Sequence, residues 1–299
     1  MSGVIYKSKK FNVSTIYQHY GSERVQLKYL QLRDMGINSI DEVEGLLELR
    51  DLQYLDLSGN NISELKGLSE LTNLKVLYVG NRISEIKDLE NLTKLTHLAL
   101  GKGISKIKGM ENLTNLTHLT LGSKISEITN MDDLINLASL DLSNNEISEI
   151  QGLNNLKNLK RLNLRGNQIS EMKGLDSLRE LYILKLSSNK ISKINGLTNL
   201  KKLGSLDLGI NKIKEIQGLE GFNKLWNLDL SSNIITEIRS LDSLKSLQEV
   251  NLCDNQISTL EGIEVFYGSN CKVLLFENPI PRESLEEIKD KVDIGAEWL

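Results

Sequence analysis

One spacing governs almost the whole chain: L-x-x-L-x-L, then an asparagine, then I-x-x-I-x-G-L-x-x-L, returning every 21 or 22 residues. The unit that opens at Leu52 passes through Leu55, Leu57, Asn60, Ile62, Leu65, Gly67, Leu68 and Leu71. Further units open at Leu74, Leu95, Leu116, Leu137, Leu159, Leu181, Leu203, Leu225 and Leu247, and a degenerate first unit opens at Leu27. Eleven repeats of 21 to 25 residues therefore occupy residues 27–270, and three consecutive units, from Leu74, Leu95 and Leu116, have the 21-residue length. A period in this range cannot describe an ordinary globular core; it describes a stack of similar coils.

The physics of one coil follows from its spacing. L-x-x-L-x-L alternates at period two, so Leu55 and Leu57 face one way while Tyr54 and Asp56 face the other, as in a short strand with one buried side. The asparagines at 60, 145, 167, 189, 211, 233 and 255 fall where the strand must bend. An amide side chain there can satisfy backbone donors and acceptors that the coil would otherwise bury unpaired. Ile62, Leu65, Leu68 and Leu71 then line the returning half, with glycine at 67, 109, 152, 174, 196 and 218 permitting a tight turn. One coil cannot enclose a core by itself, so the coils must stack into a solenoid.

Leucine makes up 55 of the 299 residues, while aromatics are 5% and the net charge is −4 from 36 basic and 40 acidic residues. That balance provides no basic stripe for a nucleic-acid backbone. No apolar run approaches the roughly 20 residues that span a bilayer, and residues 1–17 hold no apolar stretch of signal-peptide length. Cys253 is at the seventh position of its unit and Cys271 is read as the first of the next strand segment. Six strand residues separate them, roughly 20 Å, against the Cα limit of about 7 Å for a disulfide. Two free thiols and a cytoplasmic, or also nuclear, setting are expected.

These residues resemble the leucine-rich repeat. The 22-residue form, with N-x-I-x-x-I-x-G-L beyond the strand, is similar to the subclass typified by the regulatory subunit of type-1 protein phosphatase, over more than 80% of the chain. Bacterial internalin-type proteins use a similar repeat, usually with proline in the returning segment. Both prolines here, Pro279 and Pro281, lie beyond the last repeat, which favours the intracellular subclass. The resemblance implies an α/β solenoid: an arc of about eleven coils with a parallel sheet on the concave face, short helical or 3-10 turns on the convex face, and a cap at each end. It also implies a protein partner held on the concave face.

The ends fit that expectation. Residues 1–26 break the pattern but supply Ile5, Tyr6, Phe11, Val13, Ile16, Tyr17 and Tyr20 for an N-terminal cap. Residues 271–299 read as a half-repeat from Cys271 to Ile280 followed by a capping helix over 283–292, with Leu285, Ile288 and Val292 on one face.

Stacked strands turn the variable positions into ladders about 4.8 Å per rung. The third positions run Tyr29, Tyr54, Val76, His97, His118, Ser139, Arg161, Ile183, Ser205, Asn227, Glu249; the fifth run Gln31, Asp56, Tyr78, Ala99, Thr120, Asp141, Asn163, Lys185, Asp207, Asp229, Asn251. Three patches result: rings at Tyr29, Tyr54, Tyr78, His97 and His118, with Asp56 among them; a basic spot of Arg161, Arg165 and Lys185 beside Tyr182; and an acidic end of Asp207, Asp229 and Glu249 containing Trp226. Aromatic and arginine anchors are what protein interfaces use, although cross-strand tyrosines also stabilise a sheet without binding anything. His97 and His118 have no third metal-binding residue at Thr96, Ala99, Thr117 or Thr120. Asp207 and Asp229 are ordinary filler, like Asp56 and Asp141, rather than an acid–base pair. No nucleophile–base set, phosphate loop or metal cluster rises above the repeat.

The expected function is thus a monomeric, cofactor-free, non-enzymatic scaffold for a protein partner. The narrower version is regulation of a type-1-like serine/threonine phosphatase. Its expected contacts are acidic and aromatic residues down the concave face: Glu249 matches one acidic contact, but Asn251 stands where an aromatic is expected and the fifth-position ladder from Asp141 to Asn251 holds no aromatic. In the 21-residue units Lys102 and Ser123 stand where asparagine is expected, and the missing residue should tighten the bend after the strand.

Overall fold

The computed structural model describes residues 3–20, 23–80 and 82–295. They form a parallel-sheet β-solenoid of about eleven coils, divided into two compact units at residues 1–146 and 147–299.

In the first unit, β1 (Gly3–Tyr6) and β2 (Lys9–Asn12) form an antiparallel hairpin, and β3 (Ser14–Tyr20) pairs antiparallel with β4 (Glu23–Gln31). From β4 onward every pairing is parallel and sequential: β5 (Tyr54–Leu57), β6 (Val76–Val79), β7 (His97–Ile104), β8 (His118–Ser123) and β9 (Ser139–Asp141). The second unit repeats the pattern with β10 (Arg161–Asn163), β11 (Ile183–Lys185), β12 (Ser205–Asp207), β13 (Asn227–Asp229), β14 (Glu249–Asn251) and β15 (Lys272–Leu274). Each register joins equivalent positions of successive coils, so both ladders read from the sequence are physical rows within each unit.

Helical structure is sparse. Short 3-10 turns occur at Ile40–Glu42, Leu46–Glu48, Leu68–Glu70 and Ile263–Phe266, and the one α-helix among the described residues, α1, spans Arg282–Ile288. Elsewhere the returning half makes single turns, as where the amide of Leu156 donates to the carbonyl of Leu153 at 3.0 Å. A returning half of about twelve residues that must also bury four apolar side chains has no length left for a helix of several turns. Ile62, Leu65, Leu68 and Leu71 are buried as expected.

The asparagines knit adjacent coils. Asn189 accepts from the amide of Ile169 in the preceding coil at 2.9 Å, and its Nδ2 donates to the carbonyls of Leu164 and Leu186, each at 3.0 Å. Asn60, Asn145, Asn211, Asn233, Asn255 and Asn278 make the same kind of bridge. In the two short units that hold Lys102 and Ser123 in place of asparagine, the expected tightening of the bend does not occur. The strands run on instead, β7 to Ile104 and β8 to Ser123, with Lys102 opposite Gly122 and Ile104 opposite Ser123. Without an amide to take up the backbone groups at the bend, those groups stay extended and pair with the neighbouring coil.

The cap residues divide. Tyr6 is buried, but Ile5 is 41% exposed and Val4 is buried in its place, because the hairpin strand presents its even residues inward. Phe11, Val13 and Ile16 are half-buried, and the side chains of Tyr17 and Tyr20 lie outside the described residues. At the other end α1 stops at Ile288, although Leu285, Ile288 and Val292 are all buried. The register pairs Lys272 with Glu249, so Cys271 lies opposite Gln248 rather than Leu247. That places it five strand positions from Cys253, about 17 Å; both thiols are free. No helix among the described residues is long and apolar enough to cross a membrane.

Candidate functional site

Alternation places the third, fifth and seventh residues of every strand segment on the outer face of the sheet, away from the leucine core. In the first unit this face carries a run of rings. Tyr29 and Tyr54 meet edge to face at 5.9 Å between centroids and 85°, and Tyr54 and Tyr78 repeat that contact at 5.7 Å and 82°. His97 and His118 stack nearly parallel at 4.2 Å and 6°. Edge-to-face contacts add to the area each ring buries, so these tyrosines brace the sheet while leaving part of each ring to solvent.

Asp56 does not belong to the exposed surface. It is fully buried, paired with the guanidinium of Arg33, whose Nε donates to Oδ2 at 2.5 Å, while the amide of Ser58 donates to Oδ1 at 2.9 Å. Arg33 is the seventh-position residue of the preceding, degenerate coil and folds over the carboxylate. Hydrogen bonding and charge from Asp56 raise the Arg33 pKa, and burial, followed by the charges of Asp56 and Tyr78, raises that of Tyr54.

The same local bond explains why Asp and Asn recur at the fifth position. Asp229 Oδ1 accepts from the amide of Ser231 at 2.9 Å and from its hydroxyl at 2.6 Å; Asn163 accepts from the amide of Arg165 at 3.1 Å, and Asn251 from that of Cys253 at 3.1 Å. Each side chain caps the backbone two residues on, where the strand ends. Asp207 holds Gly209 in this way and accepts from the Ser187 hydroxyl at 2.7 Å. Its pairing with Asp229 is a matter of adjacent rungs.

The histidines are fixed by their neighbours. The Thr96 hydroxyl donates to the carbonyl of Lys75 at 3.0 Å and lies 3.0 Å from His97 Nδ1. Its single proton is committed to the carbonyl, so Nδ1 carries the hydrogen that is donated to Thr96. Thr117 holds His118 through the same pair of contacts. Burial first, and then the charge of His118, lowers the His97 pKa to about 4. Among the described residues no group of three or more His, Cys, Asp or Glu side chains converges on a metal site.

A pH dependence follows. The folded pKa of His97 lies below the unfolded value of about 6.5, so between pH 6.5 and about 4 the unfolded chain takes up the extra proton. Stability should fall by about 1–2 kcal/mol as pH drops through that window, a figure reduced for the partial exposure of the ring. Urea midpoints of His97→Gln should lose that part of the slope, and above pH 6.5 the two proteins should show no difference in slope.

In the second unit Arg161, Arg165 and Lys185 stand on the outer face as expected, all exposed, and Tyr182 is 45% exposed. Tyr182 reaches across a whole coil: Trp226 Nε1 donates to its hydroxyl at 3.0 Å. Gly204 makes this bridge possible, since a Cβ there would lie 2.5 Å from the Tyr182 ring and 2.7 Å from Trp226 Nε1. Trp226 therefore belongs to an aromatic clasp with Tyr182, not to the acidic end alone. Asp229 lies in the coil of Trp226 and Glu249 in the next, both half-buried.

Sequence reasoning missed Arg33, Gly204 and Ile210. Ile210 is 53% exposed and has φ of 53° at the place where other coils hold Gly59, Asn144, Gly166, Ser188, Ser232 and Asp254. An exposed β-branched residue among small and polar ones was a visible signal. The left-handed conformation costs such a residue about 1–2 kcal/mol. Ile210→Asn should therefore stabilise the protein by about 1 kcal/mol, seen as a higher urea midpoint at unchanged slope.

Comparison with known proteins identifies the repeat. The family model described as leucine rich repeats (2 copies) matches residues 50–94 and 135–177. No curated protein matches the chain. Among solved structures, the internalin InlF of Listeria monocytogenes is 29% identical, over 91% of this chain and 82% of that one, with a TM-score of 0.81. The LRR protein LIC12759 of Leptospira interrogans is 28% identical over 84% and 74%, with a TM-score of 0.66. A chain of the Toll–Spatzle complex of Drosophila is 22% identical over 84% of this chain and 38% of its own, with a TM-score of 0.67, a likeness of fold.

Proposed function

From the premise that this chain is a leucine-rich-repeat protein, we propose that it is a non-enzymatic scaffold that binds a partner protein across the outer face of its sheet. Repeat folds present extended binding surfaces of this kind. The observation that carries the reading is the set of ring side chains on that face, with Tyr29, Tyr54 and Tyr78 in edge-to-face contact and His97 stacked on His118. Rigid aromatic rings supply contact area at little entropic cost and dominate protein interfaces. The cytoplasmic setting is part of the same proposal and rests on the two free thiols.

Regulation of a type-1-like phosphatase is the narrower version. Glu249 supports it, while Asn251 stands where an aromatic contact is expected and the ladder from Asp141 to Asn251 holds no aromatic, so the broader reading is preferred.

A photo-crosslinking amino acid placed in the cell at Thr120 or Ser205, on the outer face, tests the proposal against the same group at Glu127 or Glu215 on the returning side. Adducts to a discrete protein from the outer-face positions alone are expected. Adducts from the returning side alone would overturn it.

A further inference from the structure

The outer face of the second unit is bipolar, and the cations at its basic end make no ion pair among the described residues. Arg161 and Arg165 flank Asn163 on β10, and Lys185 is the rung beside Asn163 on β11, so three cations surround one point of the sheet. Among the described residues, the ion pairs of this unit, such as Lys202 with Glu180 at 2.6 Å and Arg239 with Glu237 at 2.7 Å, lie elsewhere and involve none of these cations. Across the clasp, Asp229 is bonded through Oδ1 only, and Glu249 makes no side-chain hydrogen bond or ion pair among the described residues. Asp207 is the rung between Lys185 and Asp229, with its carboxylate held by the Ser187 hydroxyl and the Gly209 amide; beside that row, in the same coils, lie Ile183 and the Tyr182–Trp226 clasp, closed over Gly204.

We infer that this face recognises an extended segment of a partner protein that crosses the strands with a carboxylate at one end and a cation at the other. The inference rests on the interaction reading above and gives the partner its chemistry. Lys185 and Asp229 are two rungs apart, about 10 Å, which an extended peptide covers in about three residues. The segment therefore carries Asp or Glu about three residues from Lys or Arg, in either order, with an apolar or aromatic side chain between them against Tyr182 and Trp226. Opposite charges on the face reject segments of a single sign.

Selection of a random 12-residue phage-displayed peptide library on the immobilised full chain tests this. Enrichment of acid and base at that spacing, around an apolar residue, is expected. A selected peptide, labelled and titrated by fluorescence polarisation, should lose at least about tenfold in affinity with Arg161→Glu/Lys185→Glu and with Tyr182→Ala. Because Arg161→Glu/Lys185→Glu makes both ends acidic, reselection on that variant should return basic peptides. Circular dichroism checks that each variant is folded. Peptides without charge bias, no enrichment, or unchanged preferences on the reversed face would overturn the inference. Peptides insensitive to these substitutions but lost with Tyr54→Ala would overturn it while leaving the scaffold reading intact; peptides insensitive to every outer-face substitution would overturn both.

Discussion

Replacing Asn189 by alanine is expected to cost about 2–3 kcal/mol, because its side chain joins the buried bends of two coils. The amide satisfies the Ile169 N–H at 2.9 Å and the carbonyls of Leu164 and Leu186 at 3.0 Å, all within the buried bend of two coils. Alanine leaves the buried Ile169 N–H unpaired, at about 1–3 kcal/mol, and takes one of two amide donors from each of the carbonyls of Leu164 and Leu186, which Asn167 and Asn211 still serve at 2.9 and 3.0 Å. Asn189→Asp should also destabilise, because a carboxylate oxygen would face the carbonyl oxygens of Leu164 and Leu186 and be repelled by them. Coils touch only their neighbours, so hydrogen exchange should accelerate at the amides of Ile169 and Lys190 and stay unchanged at Val273. Urea denaturation gives the magnitude. A loss below about 1 kcal/mol would mean that solvent already reaches the bend.

Phe222→Ala is expected to lose about 3–5 kcal/mol. Phe222 is 1% exposed and, with the buried Phe266 of the last repeat, is one of two aromatic side chains in a row that elsewhere holds Leu71, Leu92, Leu113, Leu134, Leu156, Leu178, Leu200 and Leu244, all buried. The coil has adjusted to a ring, so alanine opens a cavity that the rigid coils on either side cannot close. Phe222→Leu restores the residue used in those rows and should cost less than about 1.5 kcal/mol. Equal losses for the two variants would show that ring shape, rather than the filled volume, holds this coil.

The repeat was legible because its signals are local and periodic. Alternation gave the strands and placed the ladders, and the pairings Tyr29 with Tyr54, His97 with His118 and Lys185 with Asp207 follow the rungs read from spacing. The asparagine bridges were legible for the same reason, since a buried bend needs a side chain that both donates and accepts. What spacing could not reveal depends on side chains reaching between coils. Asp56 is at a surface position and is buried because Arg33, from a coil with poor consensus, closes over it. The Tyr182–Trp226 bond joins residues two coils apart and exists because the residue between them is Gly204.

The 21-residue units mark a second limit. A deletion suggests a tighter bend if the turn is assumed to be kept, but the backbone of β7 and β8 abandons the turn and extends its pairing. The N-terminal residues mark a third, because β3 joins β4 antiparallel and so obeys none of the repeat's rules.

The measurement that tests the central claim most directly is quantitative affinity capture from native lysate with the wild-type chain and with Tyr54→Ala/Arg161→Glu. These residues lie on the outer face, one in each unit, and circular dichroism establishes that both proteins are folded. The account predicts a discrete protein retained by the wild type and depleted at least about tenfold by the double substitution; a phosphatase catalytic subunit in that role would add the regulatory function. Identical sets of retained proteins would contradict it and move the binding surface to the returning side or to an end of the solenoid.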